Sequence, residues 1–499
     1  MSLLGIDVGT TGCKSAAYSV EGTCLATAYR EYETLHPEPN HAELNSAYVW
    51  DCIKSVIAEV AQATTADPIT ALSVSTMGEA MTPVSEDRRI LGPCILSSDI
   101  RGGEYADRMR QELGQEAVFN INPNILAPSY SMPKLLWIRD HESHQYESAW
   151  KYLLWGDLVA FMLGCEPVTS FSHANRTLLF DIHHEDWSDT LLEWAGIPRE
   201  KLPRCVISGT IAGEVAPEMA AELGLPSGVQ VVVGGHDQCV NSLGAGVVEP
   251  GKAVCGIGTF ECITPSYDRI PTAEEMLPIG LNVEHQVLEG IYVSFIYNQS
   301  GTLVRWFRDT FAKADRGLLE PGQDIYDVLA SEMPSEPSGL LVLPHFEMTG
   351  APGFITDSVG VIAGLRVSTP RGAILKAIME GATFYFVPSL DALTALGCDT
   401  SEFIATGGGA KSDAWLQIKA DICGVPFVRP AITECGALGA AMLAGIATKV
   451  FASPQEAVDV FVQRDRVFEP DGARHQQYRE LFAKYQQLYP ALRELLATL

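Results

Sequence analysis

Asp7, Thr10, Thr11 and Lys14 fall together in DVGTTGCK, Asp7 to Lys14. A turn of this composition can hold an anion. Glycine lets backbone N–H groups approach closely, threonine hydroxyls add donors, and a lysine reaches a phosphate as a point charge. An aspartate at the end of the preceding strand suits a hydrated magnesium ion, which takes one or two carboxylates and keeps several waters. Asp7 is therefore the candidate metal ligand. The same residues also suit a plain β-hairpin with an exposed acid, and taken alone they leave both readings open. A second Gly-Thr turn in GIGTF, with Gly258 and Thr259, favours the anion site, because two facing turns could hold the phosphates of one nucleotide between two domains.

Two further stretches carry candidate chemistry. In ATGGGAKSDAWLQIKADICGVP, Ala405 to Pro426, three glycines leave a strand and Ser412 stands where a helix would be capped. Bare backbone there lets a flat ring or ribose lie against the chain, which makes Gly408, Gly409 and Ser412 candidate nucleotide contacts; the turn is equally a common structural device. In VQVVVGGHDQCVNSLGAG, Val229 to Gly246, an apolar run ends in two glycines, a histidine and Asp237. A carboxylate at that point is either the N-cap of the next helix or a group kept for function.

The elements that must position these residues follow from periodicity. LLGIDVG reads as a buried strand, followed by two more strands joined at Glu21-Gly22 in an antiparallel meander. A helix is expected from about Ser46 to Ala63, then the strand ITALSVST, helical segments at KLLWIRDH and WGDLVAFMLG, and the continuous apolar strand VQVVVGG. The second half repeats the theme: GKAVCGIGTFECITPS is again strand, Gly-Thr turn and strand, so the two hairpins look equivalent in two related domains. Helices are expected near Arg371 to Leu390, from Ser412, over GALGAAMLAG and from about Gln476 to Leu496, with EFIATGG as a strand. The domain boundary is set just after Gly246.

The totals bound the answer. The chain has 499 residues, 47% hydrophobic and 19% charged, which suits a globular protein of two to four domains. A net charge of −28 opposes nonspecific binding to nucleic acid or anionic membranes, so any phosphate must be held locally. The 12 cysteines are scattered, without CxxC or zinc spacing, and read as reduced residues of a cytoplasmic protein. Neither a secretion signal nor a membrane span is expected.

The order of GIDVGTTGCK, SYSMPKLLWIRDH, TSFSHANRTLLFDI, GGHDQ, GIGTFECI, LPHFEMTGAPGFITDSVGVIAGL and the triple-glycine stretch resembles the FGGY family of carbohydrate kinases over nearly the whole chain. The resemblance implies an α/β protein of two ribonuclease-H-like domains of the actin/hexokinase superfamily. Residues 1–246 would carry the sugar site and the first phosphate loop; residues 247–499 would carry the nucleotide site and a helical tail. It also implies ATP and magnesium in the interdomain cleft, with a hydroxyl of a small ketose or polyol as acceptor. Asp237 then becomes the general base, and Thr10, Thr11, Lys14, Thr259 and the metal neutralise the transferring phosphoryl group. A sugar pocket needs carboxylates and amides that pair with hydroxyls, so Met77, Glu79, Asp237 and Gln238 would contact the acceptor, with STMGEAMTPV and SSDIR as the stretches expected to supply the pocket. Xylulose kinases have Met-His where this chain has Met77-Gly78, and glycerol kinases carry Arg where Gly78 stands, so the acceptor is left open, as is homodimer formation. The rival readings are a chaperone-like or cytoskeletal ATPase of the same superfamily and an inactive sugar sensor. His236 is read as filling a turn, with orientation of a substrate as the alternative; Arg101 as pairing with Asp99 at the surface, with support of the sugar loop through that salt bridge as the alternative; and Trp137, Trp155 and Trp306 as packing residues.

Overall fold

The computed structural model describes every residue except Pro321 and Thr433, and Arg316 without its side chain. In the first half, strands β1 (Ser2–Val8), β2 (Gly12–Ser19) and β3 (Cys24–Glu31) form the expected antiparallel meander. Helix α1 (Ser46–Ala63) follows, its first turn capped by Asn45, whose side chain accepts from the Tyr48 N–H. Strand β4 (Ile69–Thr76) then lies parallel to β1. After helices α2 (Ser131–His141) and α3 (Phe171–Asn175), strand β5 (Ile211–Glu214) pairs antiparallel with β6 (Gln230–His236), and β6 runs parallel to β4 before helix α4 (Asp237–Gly244). The sheet order is β5-β6-β4-β1-β2-β3. β1 is buried along almost its whole length, as the middle strand of a sheet covered on both faces must be.

The second half builds a second sheet on the same plan. β7 (Lys252–Ile257) and β8 (Phe260–Tyr267) form its antiparallel hairpin, extended by β9 (Glu284–His285), β10 (Tyr292–Val293) and β11 (Ile296–Gln299), before helix α5 (Gly301–Phe311). Helices α6 (Arg371–Phe384) and α7 (Val387–Ala395) lead to β12 (Glu402–Thr406), parallel to β7, then to α8 (Asp413–Cys423), β13 (Phe427–Pro430), α9 (Cys435–Ala447), β14 (Arg464–Phe468) and α10 (Gly472–Leu496). In both halves a central strand has a hairpin on one side and parallel strands on the other. This is the ribonuclease-H-like arrangement, and it places DVGTTGCK and GIGTFECIT at equivalent turns.

Two helices differ from expectation. The single helix from Arg371 to Leu390 is divided after Phe384, and Pro388 lies in the first turn of α7, where its missing N–H breaks no helical bond. The tail helix starts at Gly472 rather than Gln476, because the Asp471 side chain accepts from the Ala473 and Arg474 N–H groups. Helix α9 packs against β1, β4 and α4, with Ala437, Ala440, Ala441 and Leu443 buried beside Leu3 and Val240. Its small residues allow that close approach, which brings its first turn to Asp7. Among the described residues, no helix is long and apolar enough to cross a membrane.

Candidate active site

Asp7 stands one residue before the end of β1, opposite Lys14 on β2 and beside Ser75 on β4. The Ser75 hydroxyl donates to its Oδ1 at 2.7 Å. Burial raises the Asp7 pKa above the ordinary aspartate value; the Ser75 hydrogen bond and the Lys14 charge oppose that, and Glu434 adds to it. The first turn of α9 closes over the carboxyl, since a Cβ at Gly436 would lie 2.8 Å from Asp7 Cγ. Thr10 and Thr11 are exposed at the hairpin tip, where the Gly9 N–H donates to the Gly12 carbonyl and the Tyr32 hydroxyl donates to the Gly9 carbonyl. Lys14 is engaged with the Glu434 carboxylate.

The second hairpin presents exposed Gly258 and Thr259. Its tip rests on α5: the Thr302 N–H donates to the Thr259 carbonyl, and Arg305 donates to Thr259 Oγ1 at 3.1 Å. The triple-glycine stretch forms a short 3-10 turn, Gly408–Lys411, packed on Ile257, so the second and third elements adjoin. Gly408 faces open space. Ser412 is occupied as the cap of α8, accepting from the Trp415 N–H. Beside it lies a cavity of about 550 Å³ lined by Lys411, Ser412, Asp413 and Arg429.

Asp237 is the first residue of α4. Its predecessors Gly235 and His236 pair with Ser75 and Thr76, and Asp7 pairs with Ser75 from the other side. The two carboxylates therefore stand at the same end of β1 and β6 with β4 between them, about 10 Å apart at the backbone given a spacing of roughly 4.8 Å per strand. Asp237 keeps 35% of its side-chain surface open. Burial, and next the charge of Asp7, push its pKa up to about 7; hydrogen bonds from the Gln238 backbone and side chain and the charge of Arg176 act the other way. His236 does more than fill a turn. Its Nε2 lies 3.2 Å from Asp237 Oδ1, its ring packs on Phe295, and burial holds it well below the usual histidine range, so a neutral imidazole rests against the carboxyl.

Met77 and Glu79 are buried just beyond β4, where the Met77 N–H donates to the Val8 carbonyl. The Glu79 carboxylate meets Arg176, whose Nη1 donates to Glu284 Oε1 at 2.6 Å. Arg176 lies within TSFSHANRTLLFDI and Glu284 in the mixed stretch NVEHQ, and no local signal in the sequence points to either of them, nor to Arg305 and Glu434. In the SSDIR segment the expected Arg101–Asp99 salt bridge forms, but buried and not at the surface. Asp99 is fully buried, Arg101 nearly so, and they bond to one another, with Glu43 and the Ala42 N–H as further partners and Arg101 lying over Trp137. Arg101 is thus a buried clamp between loops, because three acceptors and an aromatic face replace its water.

The arrangement gathers carboxyls, a lysine and hydroxyl-pairing groups at the end of one sheet and two glycine turns at the end of the other. Residues 2–244 match the N-terminal domain of the FGGY family of carbohydrate kinases and residues 283–448 its C-terminal domain. The chain is 28% identical over 500 residues to a xylulose kinase of Bacillus subtilis (strain 168), covering 99% of this chain and 97% of that protein. It is 28% identical over 513 residues to an autoinducer-2 kinase of Escherichia coli (strain K12), covering 98% and 94%. A crystal structure of xylulose kinase from Rhodospirillum rubrum superposes with a TM-score of 0.90 at 25% identity, covering 99% of this chain and 100% of that one. One of Plasmodium falciparum glycerol kinase with ADP, at 19% identity, shares the fold with a TM-score of 0.86 over 97% of each chain. With both domain models matched in order over most of its length, the chain belongs to the FGGY family of carbohydrate kinases, phosphotransferases that act on an alcohol group.

Proposed function

We propose that this kinase transfers the γ-phosphoryl group of ATP to a hydroxyl of a small ketose or polyol, with Asp237 as general base. The observation that carries this reading is the place of the Asp237 carboxyl at the end of β6, on the same end of the sheet as Asp7 and 3.2 Å from His236 Nε2, where burial and the Asp7 charge raise its pKa. A base is most effective when its pKa lies near the working pH. Asp237 takes the hydroxyl proton as the alcohol oxygen attacks, while Gln238 and His236 hold the carboxyl in place. Glu79 and Gln238 would pair with acceptor hydroxyls, beside Met77. Phosphoryl transfer then depends on positioning and charge compensation. Thr10, Thr11, Gly258, Thr259 and Lys14 would line the phosphates, Lys14 leaving Glu434 to do so, with Arg305 added at Thr259; Gly408, Gly409 and Ser412 would flank the nucleoside.

Asp7 fits magnesium in donor type: a single hard carboxylate, oriented by Ser75, matches an ion that keeps most of its waters and is carried in with the nucleotide. Bound there, magnesium would neutralise phosphate charge. Residues 1–246 and 247–499 would act as two bodies that close on the ligands.

ADP release measured against pentuloses, hexuloses, tetritols and glycerol tests this reading. Acceptor-dependent turnover is expected. Acceptor-independent turnover would make the protein an ATPase, and binding without turnover a sensor.

A further inference from the structure

Arg176 is held in the acceptor pocket from every side. Nη1 donates to Glu284 at 2.6 Å and Nη2 meets Glu79, which links the second sheet's β9 to the loop after β4. The guanidinium carbon lies 5.0 Å from the centre of the Tyr130 ring and 5.6 Å from that of Phe295. With both ends and both neighbouring rings fixed, the side chain has no freedom to swing away. Nevertheless its Nε, though buried, has no partner, and neither does Nδ1 of His236. Buried donors and acceptors are nearly always paired, so the orphaned Arg176 Nε–H marks a place where an acceptor oxygen fits.

Gly78 identifies that place. A Cβ built there would lie 3.1 Å from Arg176 Cγ, 3.3 Å from Arg176 Nε and 3.2 Å from His236 Cδ2. The arginine thus fills space that a side chain at position 78 would claim, and its unpaired Nε borders what remains. The local charge decides the kind of ligand. Glu79 and Glu284 already share the guanidinium, and Asp237 stands close enough to feel it. An acceptor with its own carboxylate would bring a third anion to a guanidinium that two carboxylates already share. A neutral chain would offer an oxygen to Nε–H and hydroxyl hydrogens to the carboxylates.

We propose that Arg176, seated over Gly78 and shared between Glu79 and Glu284, is the specificity-determining residue of the acceptor pocket and selects an uncharged polyhydroxylated chain over an aldonate. The proposal rests on the kinase reading above.

The test compares xylulose, ribulose and erythrulose with xylonate and gluconate as acceptors, in the full-length protein and in Arg176→Lys and Gly78→Ala. A neutral ketose is expected to exceed either aldonate in kcat/KM by at least about 100-fold. Arg176→Lys keeps the charge but loses the forked geometry and is expected to raise KM for the best ketose roughly 10- to 100-fold, the range of a hydrogen bond to a charged group, with KM for ATP unmoved. Gly78→Ala retains the arginine and both glutamates, so it reads the same space should the lysine variant fail to fold; its acceptor KM is expected to rise about threefold to tenfold. Preference for an aldonate, or an acceptor KM unchanged in the folded variants, overturns the inference while leaving the kinase intact. Turnover of no acceptor at all overturns both.

Discussion

Lowering the pH from 8 to 6 is expected to reduce kcat/KM for the acceptor by up to about tenfold, because a base with a pKa of about 7 is about ten-elevenths ionised at pH 8 and one-eleventh at pH 6. The value follows from two features of the site. Burial of Asp237 at the start of α4 is the larger, and the charge of Asp7 is the second. Below pH 6 the rate should fall tenfold per unit; above pH 8 it should be flat. Magnesium held by Asp7 would cancel the second contribution, so the inflection in the assembled complex belongs at or somewhat below 7. The assay is initial-rate ADP release at fixed saturating nucleotide and low acceptor, from pH 5 to 9. A second readout separates burial from catalysis. The folded state binds the Asp237 proton more tightly than the unfolded chain does, so this group lowers stability as pH rises from about 4 to about 7. Asp237→Asn removes that dependence, and its ligand-free Tm should exceed the parent's at pH 8 and equal it near pH 4. A flat rate profile down to pH 5, with no Tm difference at pH 8, would refute the reasoning.

Other outcomes follow from the same geometry. Asp7→Asn removes the second cause of the Asp237 shift, so the inflection in residual turnover should move to lower pH, while the magnesium requirement weakens and kcat falls by about tenfold or more. Lys419 and Glu261 form a fully buried pair between α8 and β8, with Glu261 Oε2 lacking a further partner; Lys419→Met strands the acid and should cost about 3–5 kcal/mol, read as a large fall in Tm, whereas the double change Lys419→Met with Glu261→Leu should recover much of it. Small-angle scattering should show a more compact particle with a non-hydrolysable nucleotide and a competent acceptor together than with either alone, since water in an open cleft competes as acceptor.

Much of the frame is legible in the chain because single strong signals specify it. Helix α1 has a polar cap at Asn45 and an apolar period that runs to Ala61; β4 sets Ile69, Ala71, Leu72 and Val74 among small hydroxyl residues; the two Gly-Thr hairpins stand at matching turns of two sheets. Asp7 and Asp237 were legible for a related reason, as acids where apolar strands end. The parts missed depend on distant partners. Arg176 and Glu284 are 108 residues apart, and nothing in HANRT or NVEHQ announces that one will neutralise the other. Arg101 looked like a surface residue because its neighbours Asp99 and Gly102 are typical of loops, yet Glu43 and Trp137, both remote in sequence, bury it. His236 reads as a turn residue in the sequence because its contacts with Phe295 and with the space over Gly78 arise only when the sheets are assembled.

The most direct test of Asp237 as the proton acceptor is rapid-quench measurement of phosphoryl transfer in Asp237→Asn, at saturating nucleotide and with the best acceptor from the panel. The account predicts a loss of about 10²- to 10⁴-fold in the transfer rate, with ADP binding at the parent affinity. Transfer within a few-fold of the parent rate would contradict it.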